Sequence, residues 1–167
     1  MTKGEEVVPL KEAKEQVEIA MTRVALLHLG FSRTLIEELG EKRGKDLIIK
    51  SILEYGKLVG EGIKVGRADL PRYGVFEKKE EKIYDCILPK VFRQHKNEDL
   101  GRLYCYVDPA KKMTVDPTRK IIHTKFPLCG DEYCSSKEVP TSEKERKDFM
   151  EKKSDWKYVD PYLLENP

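Results

Sequence analysis

The sequence lacks a long apolar run. No stretch of its 167 residues approaches the roughly 20 apolar residues of a membrane span. It opens Met-Thr-Lys-Gly-Glu-Glu, without the apolar segment of a secretory signal. These two absences predict a cytoplasmic protein with no membrane partner. Charge of one sign is also lacking. Lys and Arg number 32 against 30 Asp and Glu, a balance that argues against a protein dedicated to coating nucleic acid. The four cysteines contain no C-x-x-C pair, so the zinc-finger and thioredoxin spacings are missing. Gly60, Gly62 and Gly66 do not make the phosphate-binding G-x-G-x-x-G, and they follow a helical pattern rather than a strand.

What is present is first a helical half. Leu10, Ala13, Val17, Ala20, Met21, Val24 and Leu27 recur at helical steps, with Glu12, Lys14, Glu15 and Glu18 on the other face. Pro9 suits the first turn of that helix and Gly30 its end. Ser32 is placed to cap a next helix carrying Leu35, Ile36 and Leu39. Leu47, Ile48, Ile52, Leu53, Val59 and Ile63 continue the period. Gly40 and Gly44, and Gly56 and Gly60, are pairs four apart, which share a helix face and let another backbone approach. Close helix packing is the favoured reading over a ligand groove, and one of the first pair can end a helix. Residues 64 to 82 read as an irregular connection with a solvated charge run from Glu77 to Lys82.

From residue 83 the period changes. Ile83 to Leu88, stopped by Pro89, reads as a short strand. Leu103 to Val107 alternates and ends at Asp108-Pro109, a turn signal. Ile121 to Phe126 is a third strand, Cys129-Gly130-Asp131 a turn, and Tyr133-Cys134 the start of a fourth strand. Ser142 with Glu145 fits a capping box, opening a charged helix to about residue 153. The tail from Trp156 to Leu164 is aromatic and apolar, so it docks on its own domain or on a neighbouring chain as a homodimer. Helices followed by strands predict an α+β fold: N-terminal helices packed on a small C-terminal antiparallel sheet, then a charged helix and tail. One domain is expected over 1–167, with a helical part at 10–63, a strand and cysteine part at 83–137, and the helix and tail at 141–167.

The chemistry concentrates in the second half. Cys105, His123, Cys129 and Cys134 fall within 30 residues. Three thiolates and an imidazole complete a tetrahedral zinc site; the competing reading is buried cysteines in strands. Cys86 is an alternative fourth ligand or a lone reactive thiol. A thiolate beside a histidine is also a nucleophile, with Cys105 or Cys134 adding to carbon and His123 moving the proton. Arg102 or Arg67 could hold a substrate carboxylate. Asp108 and Asp131 either orient His123 and water or serve as turn residues, the turn reading being favoured. His28 and His95 read as packing or surface residues. A redox role for Cys129 and Cys134 is the weakest alternative.

Several short motifs follow one another in order: Leu35-Ile-Glu-Glu-Leu-Gly-Glu-Lys-Arg-Gly44, Tyr55-Gly-Lys-Leu-Val-Gly60, Tyr84-Asp-Cys86, Leu100-Gly-Arg-Leu-Tyr-Cys105 with Asp108, and Thr124 through Gly130-Asp-Glu-Tyr-Cys134. Over about residues 15 to 137 this order resembles the L-2-amino-thiazoline-4-carboxylic acid hydrolase-like family. The Gly-Asp-x-x-Cys ending is also distantly similar to small-molecule-binding domains of the 4-vinyl reductase type. The first resemblance implies hydrolysis of a C–N or C=N bond in a small cyclic substrate. The second implies a ligand-binding or sensor domain with a structural metal. There Cys105 and Cys134 match the outer metal positions, while His123 and Phe126 stand where a Glu and a Cys would fall.

Overall fold

The computed structural model describes residues 7–65, 82–84 and 86–165. The connection holding Arg67, Pro71, Gly74 and most of the charge run lies outside them, as does Asp85. The chain enters through two long helices, α1 (Leu10–Leu39) and α2 (Glu41–Lys64). Three short ones follow: α3 (Ile87–Gln94), α4 (Glu98–Tyr104) and α5 (Val107–Val115). A two-stranded antiparallel sheet, β1 (Arg119–Lys125) with β2 (Ser135–Pro140), comes next. The chain ends in α6 (Glu143–Met150), a 3₁₀ segment (Ser154–Val159) and α7 (Tyr162–Glu165). The architecture is therefore α+β, with helices first and a small sheet after them.

Gly30 does not stop α1, which runs on to Leu39. Gly40 stops it, at φ 74°, the left-handed conformation that glycine alone adopts without strain. Ser32 is accordingly a mid-helix residue, buried beside His28 (Ser32 Oγ to Nε2 3.5 Å). His28 is a packing residue: Leu100's carbonyl lies 2.8 Å from its Nε2, and Phe92 and Tyr104 meet its ring edge-on. The paired glycines of α2 are packing surfaces. A Cβ on Gly56 would lie 2.4 Å from Ala110 Cβ, and one on Gly60 2.7 Å from the Lys111 carbonyl. They let α5 lie directly on α2, and Ile49, Leu53, Ala110 and Met113 fill the core around that seam.

Two expected strands are helical instead. Leu103 to Val107 is the junction of α4 and α5, with Leu103, Tyr104, Cys105 and Tyr106 all buried in succession. Ile83 makes a single bridge to Cys134, and α3 begins at Ile87. The turn signals misled for one reason. Pro89 and Pro109 are each the third residue of a helix, where the missing N–H costs nothing. The third strand is present as β1, and the fourth begins two residues late, at Ser135. The Ser142–Glu145 capping box forms in full, opening α6.

The tail folds onto its own domain. Trp156 and Val159 are fully buried and Leu163 nearly so. Lys120 of β1 holds it there, donating to the Val159 carbonyl at 2.7 Å and pairing with Glu145. α1 departs from expectation in a second way. It is long and apolar enough to cross a membrane by length and composition, although counting unbroken apolar runs missed this, because Arg23 and His28 interrupt them. Its buried residues are Ala25, His28, Leu29 and Ser32, which pack on the rest of the chain.

The glycine seam makes a stability prediction. Gly56→Ala gains about 1 kcal/mol of helix propensity but overpacks the seam at a cost of about 1–3 kcal/mol, so it should lower the urea midpoint. Gly30→Ala, with nothing within 4 Å of the new Cβ, should raise the midpoint, by adding up to about 1 kcal/mol of stability. Urea unfolding of both variants checks the pair.

Candidate active site

β1 carries the centre of the site. Lys120 and His123 are its two buried residues. The pairing with β2 slips between His123 and Lys125, a bulge of the kind that re-aims side chains beside functional sites. His123 is held by the tail. Asp160, fully buried, accepts from the His123 backbone N–H at 3.1 Å and lies 2.7 Å from Nδ1. The carboxylate therefore fixes the ring through one nitrogen, and Phe126 packs on it at 5.3 Å between centroids.

Three further groups converge on the same imidazole. The thiols of Cys105 and Cys134 lie beside the His123 side chain and favour its charged form. Asp108 brings Oδ2 to 3.9 Å from Nε2, while its Oδ1 pairs with Lys111 at 2.7 Å. Cys86 lies close enough to Cys134, Asp108 and His123 to feel their charge. The Ile83–Cys134 bridge draws the segment before α3 to this spot, with backbone hydrogen bonds of 2.8 and 2.9 Å.

The electrostatics follow from burial and pairing. Burial opposes a charge on His123, but the hydrogen bond to Asp160 and then the thiols of Cys105 and Cys134 outweigh it and hold its pKa well above the usual imidazole value. Burial pushes the Cys105 thiol up to about 12, and the neighbouring His123 only partly offsets that. Burial likewise raises Cys86. Burial works against the Asp108 carboxylate too, yet the charges of Lys111 and His123 keep its pKa below the ordinary range. The arrangement has the order of a carboxylate–imidazole–thiol relay: Asp160 orients His123, and two thiols lie beside the ring. Cys134 is the half-buried member of the thiol pair and Cys105 the buried one.

The sequence-predicted residues divide. Cys105, His123, Cys134 and Asp108 come together, joined by Cys86. Cys129 turns elsewhere, with its thiol 3.7 Å from the Tyr162 carbonyl and the Arg102 charge beside it. Arg102 is thus placed on Cys129 and near Tyr106 rather than beside His123. Asp131 is a turn and tail residue. It accepts from the Phe126 N–H at 2.8 Å, pairs with Lys125 and takes the Tyr162 hydroxyl. His95 caps α3, its carbonyl accepting from Arg33. The expected zinc quartet does not assemble: Cys129 is turned away, Nδ1 of His123 is occupied by Asp160, and among the described residues no three His, Cys, Asp or Glu are arranged to hold one metal ion. Two surface depressions, one lined by Lys57, Met113 and Phe149 and one by Val17 and Ile87, contain none of the relay residues.

Asp160 was the missed residue. Its Asp-Pro signature reads as a turn, and 37 residues separate it from His123. The only signal that could have pointed to it is a lone carboxylate within an apolar tail, which needs a partner if the tail docks. Comparison with family models, with curated proteins and with solved structures found no match to the chain.

Asp160→Asn should cost about 3–5 kcal/mol where His123 is charged, the penalty for breaking a buried pair. Because the folded imidazole is shifted upward, the pairing contributes fully below the unfolded pKa of about 6.5. It is lost as pH rises through the raised folded value. Denaturant midpoints of wild type and variant should therefore differ most near pH 6 and converge at alkaline pH.

Proposed function

We propose that the chain is a small-molecule hydrolase that opens a C–N or C=N bond in a small cyclic, amidine-like substrate through a cysteine nucleophile. The observation that supports this most is a single imidazole bonded to a fully buried carboxylate through one nitrogen, with two thiols beside the same ring. A carboxylate in that place sets the ring's orientation and stabilises the imidazolium that forms when a thiol gives up its proton. The resemblance to thiazoline carboxylate hydrolases supplies the substrate class.

Cys134 is the nucleophile in this reading, because it is the half-buried thiol on His123. His123, charged at rest, gives its proton to the substrate nitrogen as the Cys134 sulfur bonds to the electrophilic carbon as thiolate and the C=N electron pair moves to that nitrogen. The neutral ring then carries a proton from the other amidine nitrogen to the departing one, which leaves as amine while C=N re-forms and the carbon stays on sulfur. Water gives a proton to the neutral ring, adds to the carbon and displaces the thiolate, restoring the starting pair. The net change is addition of one water across the C–N bond. Cys105, whose pKa burial raises to about 12, stays a neutral thiol and positions the ring. Asp108, paired with Lys111, adds a negative charge that favours the imidazolium. The four free thiols suit a reducing, cytoplasmic setting.

The test is turnover of 2-amino-thiazoline-4-carboxylate and simple cyclic amidines by purified protein. Cys134→Ala should lower kcat/KM by at least about 10³-fold, and His123→Ala comparably. Cys105→Ala should leave measurable activity. No turnover of any such substrate, or turnover indifferent to Cys134→Ala, sinks the reading. About one zinc per chain with protected thiols would replace it with metal chemistry.

A further inference from the structure

The apolar stripe of α1 does not face the core. The residues that α1 buries are Ala25, His28, Leu29 and Ser32. The stripe lies elsewhere on the helix: Leu10, Val17, Val24 and Phe31 recur every seventh residue, with Ala13, Ala20 and Leu27 three places after the first three of them. Val17 and Leu27 are each 61% exposed and Phe31 66%. Apolar residues alternating at three and four over three repeats are the seam of a left-handed helix pair. Isolated exposed apolar residues need no explanation, but a continuous stripe on one helix does.

We infer that this stripe is the interface of a homodimer, formed by α1 packing antiparallel on α1 of a second copy. Self-pairing is favoured because the stripe is complementary to itself when reversed. Pairing position 10 with 34 and 31 with 13 sets bulky Phe31 against Ala13, Val24 against Ala20, and Leu27 against Val17. Charge points the same way. Over the paired residues 10–34, positions 10–21 carry Lys11 and Lys14 against Glu12, Glu15 and Glu18, a net acidic segment, and positions 23–34 carry Arg23 and Arg33 with no acidic residue, Glu37 and Glu38 lying beyond the overlap. The antiparallel arrangement lays the acidic half of one copy beside the basic half of the other, whereas a parallel one sets like beside like. A bilayer surface is the poorer occupant, since a helix bound to anionic lipid wants Lys and Arg on its polar face, and here the glutamates outnumber the lysines over residues 11–18. The inference is independent of the chemistry at His123.

Sedimentation of the full chain at about 50 µM, above the Kd expected of a stable interface, should give twice the 19.4 kDa of one chain. Val24→Glu/Leu27→Glu should make it monomeric with an unchanged circular dichroism spectrum, since both side chains are outside the core. Under mild oxidant, Ala20→Cys/Val24→Cys should cross-link position 20 of one chain to position 24 of the other, as read by peptide mapping, while Ala20→Cys alone should not link to itself. A monomeric wild type overturns the inference. So does a dimer that survives the glutamates, self-linking at position 20, or monomer that floats with anionic phospholipid vesicles and loses them in the double glutamate variant.

Discussion

The carboxylate of Asp160 sits in the protein interior with no exposure at all, and that one constraint organises the C-terminal half. A bare carboxylate there would cost several kcal/mol. It is tolerated because β1 presents two donors at one residue, the backbone N–H and the ring of His123. Lys120, three residues earlier on the same strand, takes the Val159 carbonyl next to it. Together these contacts determine where the tail lies, and Trp156, Val159 and Leu163 then fill the core. Placement of the tail and orientation of the imidazole therefore rest on the same contacts.

Much of the fold is legible in the sequence, and what is not has a common cause. The existence of α2, β1 and α6 follows from apolar period and capping. The short apolar runs 83–88 and 103–107 do not resolve, because a few buried residues in a row suit a strand and a helix junction equally. Proline should arbitrate, and here it pointed the wrong way. Pro89 and Pro109 stand inside first turns rather than after strands. Gly30 misled similarly, because a glycine with room around it can ride through a long helix whose cost is met by packing elsewhere.

The candidate site divides along the same line between local and distant information. Cys105, His123 and Cys134 are visible as residue types that do chemistry, and they converge. Cys129 is equally visible and equally near in sequence. It is diverted by the 3₁₀ turn at Pro127–Cys129 and left-handed Gly130, which aim its thiol at the tail. Cys86 is brought in by one bridge, Ile83 to Cys134, that no local pattern announces. The carboxylate that completes the relay comes from the far end of the chain. A spacing rule finds donors on one hairpin, but it cannot find a partner delivered by tertiary closure.

The same reasoning explains how a sustained helical periodicity in the sequence can belong to a face that the chain leaves in water. Hydrophobic spacing states that a stripe needs cover and says nothing of what covers it. Within α1 the two faces are distinguishable by content. The fully buried residues on the face turned to the chain's own core are an alanine, a serine, a histidine bonded to a carbonyl and one leucine, with Met21, Leu35 and Ile36 packed around them. Successive residues turn by about 100°, so Leu27 points well away from His28 and belongs to a second stripe. α1 divides its apolar residues between the two faces: Leu29, with Met21, Leu35 and Ile36, packs on the chain's own core, while Val17, Leu27 and Phe31 stay exposed on the other stripe.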